Sequence, residues 1–276
     1  MTSTTSPLPA LDAAYELDRS AIDGFRADGH VTLRGVLSAA ELSGYRAAIA
    51  DAVRQHSTET RPLEERDTYG KAFLQVWNLW TLEDTARRFV LARRFARIAA
   101  DLLGVDAVRL YHDQALFKEP GGGKTPWHQD QYYWPLDTDH SITMWMPLVD
   151  AYAGMEFVSG THLEHDLGGP DISDDSDAHF ESLLVDGSRT VRPVGPLQAG
   201  DATFHAGWIL HRAPGNPTPT TREVMTVIYY ADGTTVGPVD SEPRRTDLER
   251  WLPGCVEGGL AASPINPVVY DRRRDG

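Results

Sequence analysis

Apolar residues recur at helical spacing through the first third of the chain and at strand spacing through most of the rest. Leu42, Tyr45, Ile49 and Val53 fall on one face of a helix. Just before them, Ser38 and Glu41 form a capping-box pattern in which each side chain satisfies the other's free backbone N–H. Thr81 to Asp84 repeats that signature ahead of Phe89, Phe95, Ile98, Leu102 and Leu103, and Gly104 supplies a left-handed stop. Beyond Gly104, β-branched and aromatic residues concentrate at Val108 to Phe117, Ser141 to Val149 and Val224 to Ala231, between turn signals such as Pro120 to Gly123. These read as strands. In the second of them, Thr143 and Trp145 share one face while Ile142, Met144 and Met146 share the other, so both faces are apolar enough to be packed.

Helices ahead of a strand-rich body, without an internal repeat, predict an α+β protein with a mainly β core. The reading is one domain over residues 1–276, with a helical portion at about 9–104, a β core at about 105–235 and a C-terminal extension at 236–276. One stretch departs from the pattern. Gly168 to Gly187 carries Asp171, Asp174, Asp175, Asp177, Glu181 and Asp186 with few apolar anchors, which predicts a mobile excursion. An active-site lid and a plain solvated loop are both open readings of it.

Composition narrows the classes of function. Hydrophobic residues make up 41% of the 276 and charged residues 24%, ordinary for a globular chain. The formal charge of −14 repels phosphate backbones and anionic lipid, which argues against nucleic-acid or membrane partners. No apolar run approaches the roughly 18 residues of a membrane span, and Met1 to Pro9 has no signal-peptide pattern, so a cytoplasmic location is expected. Nothing in the sequence fixes an oligomeric state. The single cysteine, Cys255, excludes an internal disulfide and has no base partner nearby for thiol chemistry.

The candidate chemistry lies at Thr125-Pro-Trp-His128-Gln-Asp130. Two residues apart on an extended strand, an imidazole and a carboxylate point the same way, so one metal ion can meet both. A second histidine from a distant strand would complete a two-histidine, one-carboxylate triad with open positions, the set that suits non-haem iron(II). Ten histidines make a chance pair of this kind common, and both His205 and His211 compete for the third place.

The stretch Gly200-Asp-Ala-Thr-Phe-His205-Ala-Gly-Trp-Ile-Leu-His211-Arg-Ala-Pro-Gly-Asn216, followed by Arg222, resembles the phytanoyl-CoA dioxygenase family of iron(II)/2-oxoglutarate oxygenases. Phe25-Arg-Ala-Asp-Gly-His-Val-Thr-Leu-Arg-Gly-Val-Leu is similar to that family's N-terminal entry, and Val158-Ser-Gly-Thr-His162 to one of its turns, with Ser159 where the family has proline. The resemblance spans about Phe25 to Ala231. It implies a double-stranded β-helix, or cupin-like jelly roll, with flanking N-terminal helices. It also implies an iron(II)-dependent dioxygenase that takes 2-oxoglutarate and O2 as co-substrates. The resemblance favours His211 over His205, by its distance to Arg222 and the Asn216 that follows, and so implies that His128, Asp130 and His211 hold the metal.

Arg222 would clamp the distal carboxylate of 2-oxoglutarate, because a guanidinium presents two parallel donors to two oxygens. By family position Gln114 and Trp145 also touch the co-substrate, with Thr143 on the same face as Trp145. Ala213 replaces a serine found in some relatives. A carboxylate at Asp130, where related halogenases carry a small residue, argues for hydroxylation. Trp127, Tyr132, Tyr133 and Trp134 crowd the metal motif, and Trp77 and Trp208 are placed to reach the same mouth, so these six are the candidate substrate contacts. Lys71, Gln75 and Lys118 are candidates for meeting a polar group. His112, His140, His162, His165 and His179 read as structural or solvated. A metabolite of biosynthetic tailoring is the expected class of substrate, by analogy with the family. The rival readings are a jelly-roll metalloenzyme without 2-oxoglutarate, which has no need for Arg222, a non-catalytic jelly-roll binding module, which would tolerate loss of any of the three ligands, and a structural or interaction protein, which explains none of the spacing.

Overall fold

The computed structural model describes residues 8–275. Helix α1 (Arg19–Asp28) stops at Gly29, whose φ of 79° lets its N–H reach the Phe25 carbonyl at 2.8 Å. Helix α2 (Ala39–His56) starts as predicted. Ser38 Oγ accepts the Glu41 N–H at 3.2 Å, and the Glu41 carboxylate accepts the Ser38 N–H at 2.9 Å. Glu41 is also bonded at 2.7 Å to Arg94, a buried guanidinium that holds the carboxyl down to about 2. That pair ties α2 to α5 (Arg93–Leu103), which follows α3 (Thr68–Ala72) and α4 (Asp84–Val90) along the chain.

The single helix expected from Thr81 to Gly104 is two helices broken at Leu91 and Ala92. Thr81 does not cap α4: it lies in a 3-10 turn, and its hydroxyl donates to the Asn78 carbonyl at 2.8 Å. Six residues apart on one straight helix, Phe89 and Phe95 would diverge by about 120°. The break brings both into the core with ring centroids 5.1 Å apart. Gly104 ends α5 in the left-handed region, as read from the sequence.

Seven antiparallel strands make the larger sheet. They are β1 (His30–Leu33), β2 (Leu74–Trp77), β3 (Ala107–Lys118), β6 (Ser141–Pro147), β9 (Ala202–Ala206), β11 (Arg222–Ala231) and β13 (Val268–Asp271). Their order is β1-β9-β6-β11-β3-β13, with β2 also on β3. The smaller sheet, in the order β4-β10-β7-β8, contains β4 (Thr125–His128), β7 (Glu156–Val158), β8 (Val191–Pro193) and β10 (His211–Ala213). A two-stranded ribbon pairs β5 (Leu136–Asp137) with β12 (Thr235–Val236). This is the jelly roll with flanking helices.

Alternation along the large sheet decides what meets what. Ile142, Met144 and Met146 of β6, with Phe204, Met225, Val227 and Tyr229, pack onto the helical layer. Thr143, Trp145, His205, Thr226 and Ile228 point the other way and line a cavity shared with the smaller sheet. Burying one apolar side chain contributes roughly 1.5–3 kcal/mol, so a one-residue slip of β6 would forfeit several such terms at once.

The acidic stretch is not the loose excursion expected of it. Residues Asp174–Ser182 form helix α6, started by a reciprocal bond between Ser173 and Ser176. Asp174, Asp175 and Asp177 occupy its first turn, where the positive end of the helix dipole favours carboxylates. Phe180 buries against Trp127, Val158 and Leu210, while the Asp177 carboxylate accepts the Trp127 N–H at 3.1 Å and pairs with Lys124. The helix is thereby fastened to β4. Helix α7 (Glu242–Trp251) follows β12 and packs Trp251 with Tyr111, Trp134 and Tyr230. Among the described residues no helix is long and apolar enough to cross a membrane.

Candidate active site

The antiparallel register of β4 and β10 sets His128 opposite His211, with ring centroids 4.1 Å apart. Each ring is oriented by its own strand. His128 Nδ1 donates to the Pro126 carbonyl at 2.8 Å, and His211 Nδ1 to the Ile209 carbonyl at 3.0 Å. With those protons on Nδ1, each Nε2 carries a lone pair. Asp130 opens the 3-10 turn after β4, and its Oδ1 lies 3.6 Å from His128 Nε2 and 3.8 Å from His211 Nε2. Those separations are too long for hydrogen bonds. They are close to the roughly 3 Å expected between donors that sit ~2.1 Å from one shared ion.

The other carboxylate oxygen is already engaged. Thr143 Oγ1 donates to Asp130 Oδ2 at 3.0 Å, leaving Oδ1 free to bind a cation. Burial, then the neighbouring His211, pushes the His128 imidazole down to about 4, and burial does the same to His211. Burial alone would raise the Asp130 carboxyl, but His211, His205 and His128 bring it well below the usual carboxylate range. Near neutral pH the cluster is therefore two neutral imidazoles and one carboxylate, a donor set that fits a divalent metal. His128, Asp130 and His211 offer ligand atoms that all lie within 4.8 Å of one another. His205 is adjacent but different: its Nε2 faces Oδ2 at 3.5 Å, the oxygen Thr143 holds, and neither ring nitrogen has a hydrogen-bond partner among the described residues.

Arg222 begins β11 and lines the same cavity, its guanidinium 5.4 Å from the centre of the Trp145 ring. Nε has no partner among the described residues, and burial lowers the group to about 10. Lys118 is its cross-strand neighbour on β3. Read from sequence as one of several lysines, Lys118 is in fact fully buried. Its Nζ bonds the Gly123 carbonyl, and burial followed by the charge on Arg222 pushes it down to about 6. Arg222, a cation whose Nε has no partner among the described residues, with no carboxylate beside it, makes a place for an anion, and Lys118 next to it is held neutral near pH 7 until such an anion arrives. The available signal was its even spacing from Gln114 on one strand. Gln114 accepts from Gln75 Nε2 at 2.8 Å through Oε1, which leaves its own amide NH2 to donate into the cavity.

The enclosed volume is about 260 Å³. Of the six aromatic candidates, Trp77, Tyr133 and Trp134 line it, and Trp127, Tyr132 and Trp208 do not. Trp127 is next to His128 on a strand, so it faces the opposite side, beneath α6, with Arg212 stacked on its ring at 4.6 Å. Tyr132 ends the 3-10 turn, half-buried beside a separate small pocket that it shares with His128 and Tyr133, its hydroxyl donating to Asp171 at 3.1 Å. Trp208 sits in the turn between β9 and β10, its ring beside His165. Missed altogether were His112, read as structural, and Asp247, Arg250 and Trp251 of α7, all of which line the cavity.

The model of the phytanoyl-CoA dioxygenase family matches residues 25–224. Among solved structures the chain is similar to the non-haem alpha-ketoglutarate-dependent epimerase SnoN from nogalamycin biosynthesis, solved with Fe3+, alpha-ketoglutarate and nogalamycin RO. Identity is 26% and the TM-score 0.73, over 90% of this chain and 97% of that one. The carbocyclase SnoK of the same biosynthesis, at 23% identity and TM-score 0.72 over 92% and 96%, shares the fold. So does EctD from S. alaskensis with bound Fe, at 16% and 0.63 over 84% and 85%. A comparison with curated proteins finds no match.

Proposed function

Because the chain belongs to the phytanoyl-CoA dioxygenase family of iron(II)/2-oxoglutarate enzymes, we propose that it hydroxylates an unactivated C–H bond of a small or medium organic metabolite. One observation carries this reading. Two imidazoles, a carboxylate with one free oxygen and a buried guanidinium all open onto one cavity walled by aromatic rings.

In this assignment His128 Nε2, His211 Nε2 and Asp130 Oδ1 would hold iron(II) beside the cavity, where it would have room to take 2-oxoglutarate and dioxygen. Iron and 2-oxoglutarate supply the activation of dioxygen, and the co-substrate departs as succinate and CO2. The protein does the positioning. Thr143 fixes which Asp130 oxygen is free, and the backbone carbonyls of Pro126 and Ile209 hold the two rings in register. Arg222 takes the distal carboxylate of 2-oxoglutarate with Lys118 beside it, and Gln114 and Trp145 form the walls of that arm. Trp77, Tyr133 and Trp134 exclude water from the space left for substrate.

The similarity to an epimerase favours a second reading, in which hydrogen abstraction is followed by inversion or ring closure instead of hydroxyl transfer. The two separate by mass. Candidate substrates are screened for succinate release, and the organic product is weighed: hydroxylation adds one oxygen, epimerisation changes nothing and cyclisation removes two hydrogens. Succinate release coupled to an unchanged or lighter product would overturn hydroxylation and leave the iron/2-oxoglutarate assignment standing.

A further inference from the structure

A second part of the cavity wall comes from α7, beyond residue 224 where the family match ends. It depends on an irregularity in β3. Val227 pairs with Asp113, but Tyr229 pairs with Leu110, so β3 spends three residues where β11 spends two. The extra residue is a β-bulge, the device by which strands re-aim side chains beside functional sites. It sets Tyr111 and His112 side by side, with ring centroids 4.8 Å apart. The Tyr111 hydroxyl donates to Asp247 Oδ2 at 3.2 Å. His112 is 1% exposed, lines the cavity, and its Nδ1 has no partner among the described residues.

Asp247 is partly buried against the cavity, and among the described residues no cation pairs with it. The groups around it are Tyr111, the Trp251 side chain, Arg250, which is exposed yet lines the cavity and draws the carboxyl down without forming an ion pair with it, and Asp130. Burial pushes its carboxyl up to about 7, and burial drives the His112 imidazole down to about 3, so His112 is neutral and has a lone pair to offer. A carboxylate taken from water is stabilised when a cation meets it. Around these two acceptors stand π faces. Trp77 stacks on Trp251 with centroids 5.1 Å apart, and Trp251 lies 4.9 Å from His112. Acceptors set among aromatic rings complement a cation that carries N–H donors. The formal charge of −14 draws such a ligand toward the protein.

We infer that this wall is a substrate-recognition subsite for a protonated amine carried on a flat, ring-bearing body, with Asp247 receiving the ammonium and His112 accepting a second N–H. This deepens the proposed function and rests on it, since the amine would orient its carrier toward the metal arm. The body is small, because about 260 Å³ must also admit 2-oxoglutarate.

The probes are tryptamine, its neutral analogue indole-3-ethanol, and indole-3-propionate. Each is titrated calorimetrically into metal-free protein and into protein loaded anaerobically with iron(II) and 2-oxoglutarate. Tryptamine should bind at least ten-fold more tightly than the alcohol, and the acid least. Asp247→Asn should abolish that preference while iron and 2-oxoglutarate bind as before, and His112→Phe should reduce it. Equal affinity for amine and alcohol, tightest binding of the acid, no binding of tryptamine, or a preference untouched by Asp247→Asn each overturns the inference. Failure of iron or 2-oxoglutarate to bind wild-type protein would instead overturn the proposed function, whatever the amine does.

Discussion

Replacing Arg222 separates co-substrate binding from metal binding. The guanidinium is partly buried, lies 5.4 Å from the centre of the Trp145 ring, and has a buried Nε without a partner among the described residues, so its donors are open to a ligand. A hydrogen bond to a charged group contributes about 1.5–3 kcal/mol, and a bidentate clamp makes two, or roughly 3–6 kcal/mol in all. Each 1.4 kcal/mol is about ten-fold in affinity. Arg222→Ala should therefore raise the Kd of 2-oxoglutarate by about 10²–10⁴, and Arg222→Lys, which keeps the charge but loses the planar fork, by about 10–100. Anaerobic calorimetry on iron-loaded protein measures both. Iron affinity should not move, because no metal-ligand candidate bonds Arg222. Without co-substrate, Arg222→Ala should leave the Tm unchanged or higher, since it removes a buried unpaired cation facing Lys118. A Kd within two-fold of wild type for Arg222→Ala would refute the clamp.

Three further outcomes follow. Lys118, neutral in the empty site, should take up a proton beside a bound dicarboxylate, so Lys118→Met should weaken 2-oxoglutarate about ten-fold or more by loss of that contact, yet raise the Tm of co-substrate-free protein near neutral pH. The sign follows from a folded-state value of about 6, below the free lysine's 10.5: that stability is complete only at high pH and is lost as pH falls toward 6. A lowered Tm with unchanged co-substrate affinity would make Lys118 purely structural. Trp127→Ala should cost ~3–5 kcal/mol in denaturant unfolding as a core truncation, with 2-oxoglutarate affinity per folded molecule intact; a selective loss of affinity would return Trp127 to the site. Finally, His112, His128 and His211 titrate at about 3, 4 and 4 when folded, against 6.5 free. Their stability contribution is whole above pH 6.5 and lost as pH falls through 4, so metal-free protein should weaken progressively below pH 6.5 in denaturant titrations. A flat profile from pH 7 to 4.5 would contradict their burial as neutral rings.

Much of the architecture was legible because it depends on short-range rules. The Ser38–Glu41 box, the Gly104 stop and the two-sided burial of Ser141–Pro147 follow from local spacing, and the structure reproduces them. So does the convergence of His128, Asp130 and His211, which family spacing implied and which the pairing of β4 with β10 brings about. What sequence concealed depends on contacts between distant segments. Asp174, Asp175 and Asp177 read as solvent-seeking until Ser173 and Ser176 start a helix beneath them and Phe180 finds Trp127. Trp127 was proposed for the cavity although strand alternation next to His128 turns it away. His112 reaches the cavity only through a bulge that periodicity does not announce, and Asp247 arrives on a helix more than 100 residues from the metal motif.

The most direct test of the central claim is an anaerobic optical titration. Iron(II) is added to the metal-free protein to one equivalent, then 2-oxoglutarate, while the weak visible metal-to-ligand band is followed. Wild-type protein should develop the band at a stoichiometry of one, and His211→Ala should neither bind iron nor show it, whereas His205→Ala should do both. No band in wild type, or full iron affinity in His211→Ala with loss in His205→Ala, would contradict the triad proposed here.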